Sequence, residues 1–129
     1  MTRVPPLALL ALLACSEGPT GPVPPSAWGG DHVGLILTVG GGDVEFDCAA
    51  GRLDQPVVLR EGRFGVAGLF YPGVGGPIGV DSTRPRPARY EGVVTGQRMK
   101  LVVRLLDTNE TLGPFTLERG RSPYVIKCL

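Results

Sequence analysis

Val33-Gly34-Leu35-Ile36-Leu37-Thr38-Val39-Gly40-Gly41-Gly42-Asp43-Val44-Glu45-Phe46-Asp47-Cys48 decides the fold class. Val33, Leu35, Leu37 and Val39 fall on one face, with Gly34, Ile36 and Thr38 on the other. The glycine triplet breaks the run. Val44, Phe46 and Cys48 then form a second inward set, while Asp43, Glu45 and Asp47 face outward. A period of two on both sides of a glycine turn reads as two half-buried strands paired as a hairpin.

The same period continues downstream. Ala49 to Pro56 reads as a loop, Val57-Val58-Leu59 as a short strand and Glu61-Gly62 as a hairpin turn. Phe64, Val66, Gly68 and Phe70 alternate with Gly65, Ala67, Leu69 and Tyr71. The small residues among them point to close backbone packing or sharp sheet curvature. Pro72 to Pro87 is irregular, with Ile78-Gly79-Val80 as a short edge strand. Ala88 to Val94 is a strand and Thr95-Gly96-Gln97 a turn. Met99, Leu101, Val103 and Leu105 mark the inward face of the next strand. Leu112 to Leu117 carries Gly113-Pro114, where proline favours an edge or a bulge. Tyr124 to Leu129 closes the chain.

No stretch keeps a helical period over about ten residues, and about eight short strands follow one another through tight turns. The expectation is an all-β domain, a small antiparallel up-and-down barrel, with a β-sandwich as the alternative. Closure removes edge strands that a chain rich in Val and Leu would otherwise expose. So short a chain makes a narrow barrel, filled by its own side chains.

Upstream, Ser16 to Ala27 reads S-E-G-P-T-G-P-V-P-P-S-A, a proline-rich, semi-rigid tether. Before it, Met1 to Ala14 has the parts of a secretory signal. Arg3 gives a positive start, Leu7 to Leu13 an apolar centre and Ala14 a small residue at the cut. The apolar centre is too short to span a bilayer, which takes ~20 residues. The expected division is a signal peptide at 1–14, a Cys15-bearing tether at 15–27 and one β domain at 28–129.

Leu12-Leu13-Ala14-Cys15 resembles the lipobox of bacterial lipoproteins: an aliphatic residue, a tolerant position, a small residue and cysteine. The resemblance implies a diacylglyceryl thioether on Cys15, cleavage before it, and an acyl chain such as palmitate on the new N-terminus. Each buried methylene contributes ~0.8 kcal/mol, so two or three chains hold a protein firmly. Ser16 follows the cysteine where a retention aspartate would stand. In a Gram-negative cell the resemblance therefore points to a lipid-anchored protein of the cell envelope, at the outer membrane facing the periplasm. The alternative is an ordinary signal peptide with an incidental cysteine.

The chain has three cysteines, an odd number for an exported protein. If Cys15 carries lipid, Cys48 and Cys128 remain as a pair for a disulfide in an oxidising compartment. Two separate buried thiols are the alternative. Two distant cysteines and a single histidine make no zinc signature.

Removing residues 1–14 takes away Arg3 and no acid, leaving basic and acidic residues in balance. That argues against a nucleic-acid partner. Asp31 beside His32 suggests a base and its orienting acid, but neighbours on a strand point to opposite faces. There is no Gly-x-Ser-x-Gly stretch to supply a nucleophile. Asp43, Glu45 and Asp47 offer oxygens for Ca²⁺, but alternate strand positions read first as a solvated face. Arg84, Arg86 and Arg89 form a small basic cluster suited to anionic headgroups or an acidic partner. Trp28, followed by Gly29-Gly30, is similar to the lipocalin pattern of a Gly-x-Trp at the first strand, although Ser26 stands in the glycine's place. A tryptophan sealing one barrel end explains the residue equally well.

These readings lead to a non-enzymatic, membrane-anchored β domain, without cofactor or metal, binding a small apolar ligand in the barrel mouth. The alternative is a protein-interaction, inhibitor or envelope-structural module. An accessible apolar cavity favours the first, and a solid core with an exposed aromatic or Arg patch favours the second.

Overall fold

The computed structural model describes Arg3, residues 18–73 and residues 84–128. The signal segment apart from Arg3, Cys15, Ser16 and Ile78-Gly79-Val80 lie outside the described residues. The described residues are all-β. The strands are β1 (Gly21–Pro22), β2 (Ser26–Gly30), β3 (Val33–Leu37), β4 (Gly42–Phe46), β5 (Ala49–Leu53), β6 (Val58–Leu59), β7 (Arg63–Pro72), β8 (Arg86–Thr95), β9 (Arg98–Leu105) and β10 (Thr111–Arg119). Eight of them close an antiparallel barrel in the order β10-β2-β3-β4-β5-β7-β8-β9. The up-and-down barrel expected from the alternation is therefore the fold, and the sandwich is not.

The hairpin falls where its period puts it from Val33 to Leu37 and from Val44 to Phe46, whereas Val39 and Cys48, expected inward, lie in turns and Val39 is exposed. Val33 pairs with Phe46, Leu35 with Val44 and Leu37 with Gly42, and Val33, Leu35, Leu37, Val44 and Phe46 are buried. Two barrel strands differ from the sequence reading. Ser26–Gly30, expected partly as tether, is the first barrel strand and pairs with β3 and β10. Ala49–Leu53, expected as a loop, is a barrel strand between β4 and β7. Two other segments expected as strands of the domain stand outside the barrel. Val58–Leu59 pairs only with Gly21–Pro22. The C-terminal stretch makes one bridge, Asp31 to Tyr124. Closure falls to β10 on β2, through Glu118 opposite Gly29 and Arg119 opposite Trp28. Gly113-Pro114 marks a bulge, where the register of β10 on β9 shifts between Leu112 and Phe115.

The lumen is packed solid. Tyr90, Leu101, Met99, Val103 and Leu117 are fully enclosed. Tyr90 crosses the interior and its hydroxyl donates to the Leu69 carbonyl at 2.7 Å. Room for the ring comes from Gly51 and Gly68, where an added Cβ would run into Tyr90. The small residues of β7 thus serve close packing. Burial pushes the Tyr90 phenol well above its ordinary pKa, so the ring stays neutral.

Residues 18–25 and the C-terminal segment each cover one side of the barrel. Residues 18–25 lie across the end that carries the β6–β7 turn. The Gly62 N–H donates to the Pro19 carbonyl at 2.8 Å, and the Val23 N–H to the Val57 carbonyl at 3.0 Å. Trp28 is buried beneath this strap. Its indole N–H donates to Ser26 Oγ at 2.9 Å, and the Arg119 guanidinium sits 5.8 Å from its ring. The C-terminal segment turns back after β10 along the outer wall. Pro123 rests on the outward-facing pair Gly29 and Gly34, where side chains would leave no room.

Candidate functional site

The opposite end of the barrel is a mouth formed by the β2–β3 and β4–β5 turns and by the ends of β7 and β10. Phe46 and Phe70 have ring centroids 5.7 Å apart, and Phe46 and Phe115 5.3 Å apart, all tilted. Tilted aromatic rings at this separation attract beyond their burial alone. With Ala49, Leu112 and Gly113 they line a concavity of about 270 Å³, bounded on its polar side by His32 and Asp47.

His32 reaches this rim because its backbone takes a left-handed conformation, φ 72°, in the β2–β3 turn. Its Nδ1 lies 2.5 Å from Asp47 Oδ2. The other carboxylate oxygen, Oδ1, accepts the Ile126 N–H at 2.8 Å. That backbone donor is the main cause that holds the Asp47 carboxyl below its ordinary pKa of 3.8; partial desolvation opposes it and His32 adds to it. The Cys48 N–H donates to the Ile126 carbonyl, and Cys48 and Cys128 lie at disulfide distance, with Cα atoms 4.9 Å apart. The mouth rim is thus a junction: His32, Asp47, Ile126 and the cysteine pair bind two turns and the C-terminal segment together.

The structure redistributes the sequence candidates. His32 pairs with Asp47, whereas Asp31 pairs with Arg121 at 3.0 Å. Asp43, Glu45 and Asp47 do not converge. Glu45 faces Lys127 at 3.7 Å, Asp47 belongs to the mouth, and among the described residues no three metal-ligating side chains gather. The Arg84–Arg86–Arg89 cluster is dispersed. Arg86 grips Asp107 through two bonds, at 3.0 and 2.8 Å, and Arg89 turns to Glu91 at 3.4 Å. The Arg86 contact holds the Asp107 carboxyl below its ordinary range.

One feature was missed by reading the sequence segment by segment. The outward positions of β7, β8 and β9 bring Arg63, Arg89, Lys100 and Arg104 onto one wall, around Val93 and Val102. Arg63, Arg89 and Lys100, with Arg60 and Glu91, border a shallow concavity of about 790 Å³. The signal was present as a basic residue at alternate positions in consecutive strands, and only the register makes it a patch. No helix of the described residues is long and apolar enough to cross a membrane. Compared with known proteins, the chain matches no family model, no curated protein and no solved structure.

Proposed function

We propose that this chain is a lipid-anchored, non-enzymatic barrel of the cell envelope that binds a small apolar molecule at its mouth. The aromatic cup of Phe46, Phe70 and Phe115 carries this reading. Ligand sites are typically apolar concavities of ~300–1,000 Å³ with a few polar groups that fix orientation. The cup lies just below that range, which suits a ligand of one or two rings with a polar group toward His32. The packed lumen excludes a larger guest from the interior. Two supports favour the exported setting. The Leu12-Leu13-Ala14-Cys15 resemblance provides the anchor, and the Cys48–Cys128 proximity fits a compartment where disulfides persist. His32 and Asp47 act here as a strut, since Asp47 is already committed to Ile126.

1-Naphthol is a suitable probe. Saturable binding is expected, and Ala49→Trp, which fills the cup, is expected to abolish it while the fold persists. Absence of saturable binding, or binding unchanged by A49W, contradicts the cup. The solid core and basic wall favour the second reading, a protein-interaction or envelope-structural module, and that reading would then stand.

A further inference from the structure

The N-terminal strap ties the barrel close to where the lipid would be. Gly18 packs directly on the Gly62 backbone, and Glu61 N–H donates to Thr20 Oγ1 at 3.3 Å. Only Ser16 and Glu17 lie between Gly18 and Cys15. Three peptide steps span at most ~11 Å. A tether that runs free to Ala27 would hold the domain nanometres from a bilayer; this one is laid along the barrel from Gly18 onward.

The turn that receives Gly18 lies between Arg60 and Arg63, at the edge of the basic wall. That wall carries Arg60, Arg63, Arg89, Arg98, Lys100 and Arg104 against Glu61, Glu91 and Glu118. Glu91 is shared by Arg89 and Arg104, both at 3.4 Å, and Glu118 faces Arg98 at 3.7 Å. Arg60, Arg63 and Lys100 make no ion pair among the described residues. Exposed valines lie between them, Val58 and Val93 among them. The β4 wall instead carries Asp43 and Glu45, each facing a cation, Arg52 and Lys127. Six basic residues thus stand on the wall whose edge receives Gly18.

We propose that the β7–β8–β9 wall is a membrane-docking face, which holds the barrel against the anionic phospholipid headgroups of the bilayer that carries its anchor. This rests on the anchor reading of Cys15. Arg60, Arg63 and Lys100 meet phosphates, and the valines between them sit at headgroup depth. Basic residues near an anionic surface each strengthen association about fivefold at moderate salt. A short anchor makes even a weak face effective, because it raises the local concentration of headgroups.

Trp28 is the sole tryptophan and reports the position of the barrel. The native protein is reconstituted in phosphatidylcholine vesicles, with or without phosphatidylglycerol, carrying a dansyl headgroup acceptor. Energy transfer from Trp28 is expected to rise with phosphatidylglycerol. It is expected to fall with added salt, in Arg60→Glu/Arg63→Glu and, separately, in Lys100→Glu, but not in Arg52→Glu on β5, outside that wall. Equal transfer in both vesicles, or equal loss in R52E, overturns the docking face and leaves the anchor reading intact. Intact mass tests the anchor independently. If no acyl group is found, the unacylated chain is sedimented with the same vesicles. Salt-sensitive binding to phosphatidylglycerol alone, weakened about fivefold or more by K100E, then supports the face, and no binding overturns it.

Discussion

Asp47 shows how much one side chain integrates here. It is reached by His32 from one turn and by the Ile126 amide from the C-terminal segment. A carboxylate whose folded pKa is depressed contributes stability that is present above its unfolded pKa and lost as pH falls through the folded value. The junction is therefore expected to be intact above about pH 4, the unfolded carboxylate value, and to loosen as pH falls below it. The Ile126 amide resonance in NMR should move through that acid window. In Asp47→Asn, which keeps an acceptor but cannot titrate, that movement should vanish. Movement that persists unchanged in Asp47→Asn would contradict this assignment. Tyr90 makes the same point about context. Its ring is accommodated because two glycines on neighbouring strands face it, a relation that spacing along one strand does not reveal.

At the scale of elements, the C-terminal segment is held by backbone bonds from Gly30, His32 and Cys48 and by the cysteine pair, rather than by a strand ladder. A bond across a separation of 80 residues stabilises by ~4 kcal/mol in the chain-entropy picture, less any strain. Cys128→Ser is expected to lower unfolding stability by ~2–4 kcal/mol in urea titration, with faster amide exchange at Ile126 than elsewhere in the barrel. No change in either would show that the bond does not form. The strands with large alternating side chains, β3, β4, β7, β8 and β9, were legible in the sequence because period two and burial coincide in them. Ser26–Gly30 and Ala49–Leu53 were not, since Ala27, Gly29, Ala50 and Gly51 carry no hydrophobic contrast. These strands are specified by what packs on them: Pro123 over Gly29 and Gly34, and Tyr90 against Gly51. Val57-Val58-Leu59 was readable as a strand but not as the partner of Gly21–Pro22, because the period says nothing about which strand pairs with which. For the site, Phe46 was legible as an inward residue and Phe70 as one of an alternating set, while Phe115, beside the Gly113-Pro114 break, was assigned no face. Their meeting at the mouth, and the pairing of His32 with Asp47 across 15 positions, needed the closed barrel.

At the scale of the molecule, residues 18–25 and the C-terminal segment are fastened to the barrel, the lumen is filled, and basic residues gather on the β7–β8–β9 wall. On the two proposals, binding falls to the outside, to the cup at one end and the basic wall along the side. The described strap begins at Gly18, at the end opposite the cup. The two proposals are compatible: a barrel resting its side wall on headgroups keeps the cup at its end open to solutes. Intact mass of the natively expressed protein, with and without reduction before alkylation, tests the account at its centre. The account predicts a chain that begins at Cys15 and carries acyl mass, with Cys48 and Cys128 alkylated only after reduction. An unacylated chain whose Cys48 and Cys128 alkylate without reduction would contradict both the anchor and the staple.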